Sequence, residues 1–467
     1  MAFSNLTFVF AFLPISLLLY YIVPKKAKNA VLVLLGLVFF SWGRPEYLIL
    51  LLCSILFSYF SGLAISNQQE HPVRAKLILI SAVVFHLLIL GFYKYYDFLV
   101  QNINQIFGTA FTTPKLPLPI GISFFTFSLL SYLFDVYRQK APALKNPLDF
   151  AVFVTFFPKL VSGPIVKYED MYAQIEERTV TKQSFGDGCR LFLIGLGKKV
   201  LLANTLGATF NTLYALPTDS LSGASAWLGA ICYSLMLYFD FSGYSDMAIG
   251  LSKLFGFSFA QNFNYPYMSN SITDFWRRWH ISLGAWFRDY VYIPLGGSRV
   301  KTWKIIRNLL IVWALTGIWH GANWTFVVWG MYYGLLLVME KFVLKKVLDK
   351  VPNVLRHILT LLLVLIGWVF FFSDSLQIAI TWLGRMFFVG PFLDATAKYA
   401  FGSCWLLLLV GIFASTPLGA NIGSNLYRSK SKVPVAVCSI LFFAAILLLS
   451  IAGMTNDTYS SFLYFQF

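Results

Sequence analysis

Residues 301–350 read KTWKIIRNLLIVWALTGIWHGANWTFVVWGMYYGLLLVMEKFVLKKVLDK, and this stretch decides how the chain is arranged. Lys301, Lys304 and Arg307 stand before two apolar runs, and Lys341, Lys345, Lys346 and Lys350 stand after them; the runs meet at Trp319-His320-Gly321-Ala322-Asn323. Lys and Arg gather on the cytoplasmic side of a membrane, so both ends belong there. The segment enters the bilayer and returns. Each arm, Leu309 to Trp319 and Trp324 to Met339, is shorter than the roughly 20 residues that cross about 30 Å of hydrocarbon as a helix. At about 1.5 Å per residue, the first arm carries His320 on the order of 20 Å above the cytoplasmic boundary, with Gly321 and Asn323 as helix breakers at the tip. An ionisable side chain at that depth is costly to bury and is a functional candidate by default. The competing reading is a histidine hydrogen-bonded across helices as packing glue.

Composition supports the membrane setting. Of 467 residues, 58% are hydrophobic and only 12% charged, with mean hydropathy +0.70. A soluble chain of this length carries far more charge, so an all-α polytopic membrane protein is expected, one unit over 1–467 with core motifs at 120–340 and no soluble domain. The net charge of +16 is no sign of nucleic acid, because the basic residues sit between apolar runs, where orientation and anionic lipid headgroups account for them. Cys53, Cys189, Cys232, Cys404 and Cys438 form no close pair in sequence. They read as small hydrophobes, with no disulfide framework and no metal site.

Leu6 to Val23 lacks a basic leader and a small-residue cleavage site and reads as a retained span; Lys25, Lys26 and Lys28 after it put the N-terminus outside. About ten crossings are expected, near residues 6–23, 30–42, 47–65, 77–92, 120–136, 199–215, 226–249, 357–372, 405–418 and 433–451. The cytoplasmic connectors then hold the Lys/Arg clusters, including Arg428 to Lys432. Lys198 and Lys199 are expected at a helix end or snorkelling to the interface. In FFPKLVSGPI (156–165), Pro158, Gly163 and Pro164 interrupt apolar sequence, which suits a re-entrant or interfacial turn buried in protein or lining a wet cavity. Ser271 to Asp274 reads as a capping box opening a helix through Trp286, with Asp274 spaced to pair with Arg277 or Arg278. His280 lies in that interfacial helix, so one histidine is held near the boundary and another deeper.

Signatures of a zinc protease, a nucleotide loop or a serine nucleophile are absent from the sequence. What remains is imidazole in an apolar setting, which stays neutral and can take a proton from a hydroxyl. That chemistry suits attack of an alcohol on a thioester or ester. Asp240 and Asp246 are further intramembrane carboxylates, read either as contacts of Arg277, Arg278 or a polar cavity, or as structural glue. His86 reads as packing, and His71 and His357 as loop or boundary residues.

The strings YFDFSGYSDMAIGLSKLFGF (238–257), NFNYPYMSNSITDFWRRWHISLGAWFRDYVYIPLGGSR (262–299) and LTGIWHGANWTFVVWG (315–330) are specific. They resemble the bacterial branch of the membrane-bound O-acyltransferase (MBOAT) family, which acylates alginate, peptidoglycan, cellulose and teichoic acids. PIGISFFTFSLLSYLFDVYR (119–138), FFPKLVSGPI, GLGKKVLLAN (195–204) and FLYFQF (462–467) extend the similarity over almost the whole chain. The resemblance implies that His320, in WHG, matches the catalytic histidine and that His280, in RRWH, matches a second functional one. Asp240, Asp246, Arg277, Arg278, Trp319 and Asn323 are then candidates to line a substrate or donor tunnel. The implied fold is a ring of membrane helices, with re-entrant and interfacial helices, around a central funnel. The implied activity is acyl transfer, acetyl before D-alanyl, from a cytoplasmic thioester, acetyl-CoA or an acyl carrier protein, to an extracytoplasmic hydroxyl. No bound cofactor is implied; an SGNH-type secreted or anchored partner is, in a bacterial cytoplasmic membrane. Two readings from other classes stand beside it: a glycan or lipid flippase with histidine and aspartates along its path, and a membrane scaffold that only docks a secreted acyltransferase.

Overall fold

The computed structural model describes residues 2–427 and 432–456, which are helical with no strand. The Arg428 to Lys432 connector, except for Lys432, and the FLYFQF motif lie outside the described residues. The chain falls into two compact units, Met1–Phe192 with Ser245–Ala260, and Leu193–Tyr244 with Gln261–Phe467.

The first unit holds α1 (Phe8–Ile22), α2 (Lys28–Ser41), α3 (Leu48–Asn67), α4 (Pro72–Phe107), α5 (Ile122–Tyr137), α6 (Pro147–Thr155), α7 (Phe157–Leu160) and α8 (Tyr168–Glu176). Small residues set the spacing of these helices. A Cβ on Gly62 of α3 would lie 2.2 Å from the Tyr132 ring of α5, so only glycine admits that contact. The FFPKLVSGPI run does break the helix, between α6 and α7 and again after Leu160, and all ten of its residues are buried. Irregular backbone of this kind needs protein around it to satisfy its polar groups. His86 packs within this unit, with Nε2 2.6 Å from the Ser58 hydroxyl.

Two long helices pass from one unit to the other, α9 (Lys182–Tyr214) and α10 (Gly223–Leu254). The second unit continues with α11 (Ile272–Arg278), α12 (Ile281–Phe287), α13 (Thr302–His320), α14 (Trp324–Leu348), α15 (Asn353–Phe372), α16 (Leu376–Phe387), α17 (Ala395–Ala414), α18 (Leu418–Tyr427) and α19 (Lys432–Asn456). Eight helices among the described residues are long and apolar enough to cross a membrane. Seven of them overlap expected crossings, and the eighth is α14; the expected crossings at 6–23, 30–42 and 120–136 fall on shorter helices.

Three expectations are corrected. The hairpin arms are longer than their apolar runs: α13 starts at Thr302 and α14 continues to Leu348, which gives α14 the length of a full span. Long Lys and Arg side chains reach away from helix ends, so a helix runs on past its hydrophobic stretch. Lys198 and Lys199 lie mid-helix, in a π-turn over Lys198–Ala203 that joins the two halves of α9, and Lys199 is buried. The helix from Ser271 through Trp286 is two short helices, interrupted where His280 adopts left-handed backbone at φ +44° and ψ +54°. No single-residue propensity marks that break; the contacts that hold it come from elsewhere in the chain.

Candidate active site at two histidines

The second unit builds the site from a hairpin and a broken helix. In the hairpin, α13 and α14 approach at glycines: a Cβ on Gly317 would sit 2.3 Å from the Phe326 carbonyl oxygen, and one on Gly330 2.4 Å from that of Trp313. α13 ends at His320, followed by Gly321 in extended conformation. Asn323 caps α14, its side-chain oxygen accepting from Thr325 N at 3.1 Å while its amide donates to the Asp374 carbonyl at 2.8 Å. Asn323 thus fastens the tip. The His320 ring is 4% exposed and lies among the rings of Trp319 (4.9 Å between centroids), Trp329 (5.0 Å) and Phe371 (5.1 Å).

The broken helix is held by polar bonds. Ser271 caps α11, accepting from Asp274 N, and Asp274 pairs with Arg278 at 3.0 Å, as the four-residue spacing predicts. Glu340 of α14 accepts from the Ile272 and Thr273 amides at 2.7 and 3.2 Å, tying the hairpin's second arm to the first turn of α11. Left-handed backbone at a residue other than glycine costs about 1–3 kcal/mol and persists only where surroundings over-determine it. At His280 they do: Ile281 N donates to the Asn262 carbonyl and Asn264 N to the Arg278 carbonyl, both at 2.9 Å. The His280 ring is 2% exposed, at right angles to Phe241 (4.6 Å) and 6.3 Å from Trp319. Burial pushes its imidazole down to about 3, so it is uncharged at neutral pH. Trp319 therefore stands against both histidines.

A cavity of about 830 Å³ ends on this arrangement. Its buried side is formed by Trp279, His280, Trp313 and Thr316; its exposed side carries Arg277, Arg288, Lys341 and Lys345, with Arg356 half-buried. An apolar inner end with a basic rim fits a ligand that carries an uncharged reactive end on an anionic body.

The other predicted residues are distributed differently. Arg277 is exposed on the rim, while Arg278 turns to Asp274. Asp240 forms a buried ion pair with Lys199 at 2.5 Å, binding α10 to the π-turn of α9. Its opposite charge is what permits Lys199 to be buried rather than snorkelling. Asp246 lies half-buried on the part of α10 that belongs to the first unit. His357 is half-buried, with Nδ1 2.9 Å from the Ser269 carbonyl, and His71 precedes α4. Asn262, Lys199 and Glu340 were not singled out as site residues by sequence; the available signal was a polar residue within buried aromatic sequence, strongest at Asn262 in NFNYPY.

Residues 34–379 match MBOAT, the membrane-bound O-acyltransferase family. The chain belongs to this family. It is an acyltransferase and a multi-pass membrane protein, as its motifs and apolar helices also indicate. Among MBOAT relatives, the probable alginate O-acetylase AlgI of Pseudomonas aeruginosa is 45% identical over 84% of this chain and 75% of its own length. The peptidoglycan O-acetyltransferase of Helicobacter pylori is 39% identical over 82% of this chain and 79% of its own. The teichoic acid D-alanyltransferase of Bacillus subtilis is 32% identical over 48% of this chain and 59% of its own. The matched region contains both histidines, the hairpin and the cavity.

Proposed function

We propose that this MBOAT enzyme transfers an acetyl group from a cytoplasmic thioester, acetyl-CoA or an acyl-carrier thioester, to a hydroxyl on the far side of a bacterial cytoplasmic membrane. The acceptor is an extracytoplasmic polysaccharide, or an SGNH-type partner that acylates it. The observation that carries this reading is the cavity that runs from a basic rim to His280, with His320 next beyond Trp319. A thioester whose carrier is anionic at one end and reactive at the other matches that polarity.

His320 acts as general base. As the acceptor oxygen bonds to the thioester carbonyl carbon, its proton passes to the imidazole; the C–S bond breaks, and the proton goes on to the departing thiolate. His280 and Trp319 position the donor, and Arg277 belongs to the rim that receives its phosphates. Asp240 serves the fold through Lys199, as does Arg278 through Asp274. Acetyl is preferred to D-alanyl because the relatives named for O-acetylation align over more than four fifths of this chain, against about half for the D-alanylating one.

The test is a proteoliposome assay with labelled acetyl-CoA and, separately, a D-alanyl carrier protein, scored on an outer hydroxyl acceptor. Label is expected from acetyl-CoA, with His320→Ala inserted normally and inactive. Full activity in His320→Ala rejects the base; transfer from the D-alanyl carrier alone replaces acetyl with D-alanyl. Movement of intact glycan or lipid without acylation would make the protein a flippase.

A further inference from the structure

His280 is held by a residue outside its own helices. Asn262 is 1% exposed, and its side-chain oxygen lies 3.1 Å from Ser282 N, 2.9 Å from Ser282 Oγ and 3.3 Å from His280 Nδ1. A backbone N–H can only donate, so the atom facing Ser282 N must be the amide oxygen and not the amide nitrogen. That oxygen cannot donate, and the imidazole nitrogen facing it must therefore carry the hydrogen. Neutral imidazole has one hydrogen, so the accepting lone pair falls on Nε2.

We propose that Asn262 is the positioning residue that selects the Nδ1–H tautomer of His280 and thereby leaves Nε2 as the hydrogen-bond-accepting nitrogen with which His280 positions the donor for acyl transfer. The proposal rests on His280 acting in that reaction. The same residue holds the backbone of the left-handed turn through its carbonyl, so ring orientation and tautomer are set together. Phe241, Phe263 and Trp319 are the aromatic neighbours of the ring. Of the charged groups on the surrounding elements, Lys199 and Asp240 pair with each other and Arg278 with Asp274; Arg277, Arg288 and Glu340 line the cavity, with Lys341, Lys345, Asp349 and Arg356 further along it.

Asn262→Ala and Asn262→Asp, measured with His280→Ala in proteoliposomes from pH 5 to 8.5, separate tautomer control from mere packing. Asn262→Ala is expected to lower kcat at least about tenfold with KM for acetyl-CoA nearly unchanged, since a misplacement of about 1 Å in a positioning group can cost on the order of 100-fold in rate. Asn262→Asp retains an accepting oxygen and is expected to recover most turnover at pH 8. Its carboxylate also stabilises imidazolium, so its activity is expected to fall as pH drops below about 7, where the wild type's does not. Wild-type kcat in Asn262→Ala, with His280→Ala inactive, overturns the tautomer role and leaves the acyl-transfer reading intact. Full activity in His280→Ala removes the reading beneath it. If Asn262→Ala does not insert, the Asp variant decides: a pH profile superimposable on wild type overturns the proposal.

Discussion

The two histidines occupy opposite kinds of surroundings. His320 sits at a hairpin tip defined by shape: glycines that let two backbones touch, and rings of Trp319, Trp329 and Phe371 around the imidazole. His280 sits at a helix break defined by hydrogen bonds, in which the Asn262 carbonyl and side-chain oxygen accept from Ile281 N and Ser282 N. Packing tolerates chemical change that preserves volume, whereas a polar splint tolerates volume change that preserves donors and acceptors. Under the proposed mechanism, the difference separates a base kept in an apolar box from a positioning group whose protonation pattern has to be dictated.

The steepest loss should come from the frame that presents Phe241 to His280. Asp240→Ala removes the carboxylate 2.5 Å from the buried Lys199 ammonium and should cost about 3–5 kcal/mol, seen as loss of folded protein in detergent; replacing both residues by Leu and Met should restore much of it. An Asp240→Ala protein as stable as wild type would mean that the pair does not anchor α10. Next, Gly330→Val drives a side chain into the Trp313 carbonyl and should destabilise by about 1–3 kcal/mol, with activity falling further than stability because the tip carries His320. Equal activity per folded molecule would show that the tip need not be rigid. At the start of α11, Ser271→Ala should cost about 1 kcal/mol, and Ser271→Asp, which also caps, should cost little. If the Asp variant is as damaged as the Ala variant, the bond is not what matters there.

A pH dependence is also expected at the break. The folded His280 takes its proton only near pH 3, while an unfolded histidine takes it near about 6.5. Between those values the unfolded chain binds more protons, so this group's contribution to stability is complete above about pH 6.5 and declines as pH falls toward 3. Thermal midpoints compared at pH 7.5 and 5.5 should show a drop that is reduced in His280→Gln. An identical drop in both would assign the dependence to other groups.

How much was legible varied with the range of the interaction. The hairpin followed from basic clusters and hydropathy around a WHG tip, and the capping box from a four-residue pattern; both are local. The break at His280 was not legible, because RRWHISLGAWF has the composition of one continuous interfacial helix and the bonds that interrupt it come from Asn262, 18 positions upstream. Lys199 misled for the same reason: its partner lies 41 positions away, and an isolated lysine in apolar sequence reads as snorkelling.

Hydropathy, charge placement and motifs were enough to specify a multi-pass membrane acyltransferase, the point where the chain turns back, and the two candidate histidines. Those conclusions depend on quantities fixed along the chain. The carboxylate that meets Lys199, the place where the helix breaks, and the nitrogen of His280 that faces a hydrogen-bond acceptor follow from the folded arrangement. Each is settled by donors and acceptors meeting across separate elements, and buried polar groups must find such partners wherever the fold supplies them.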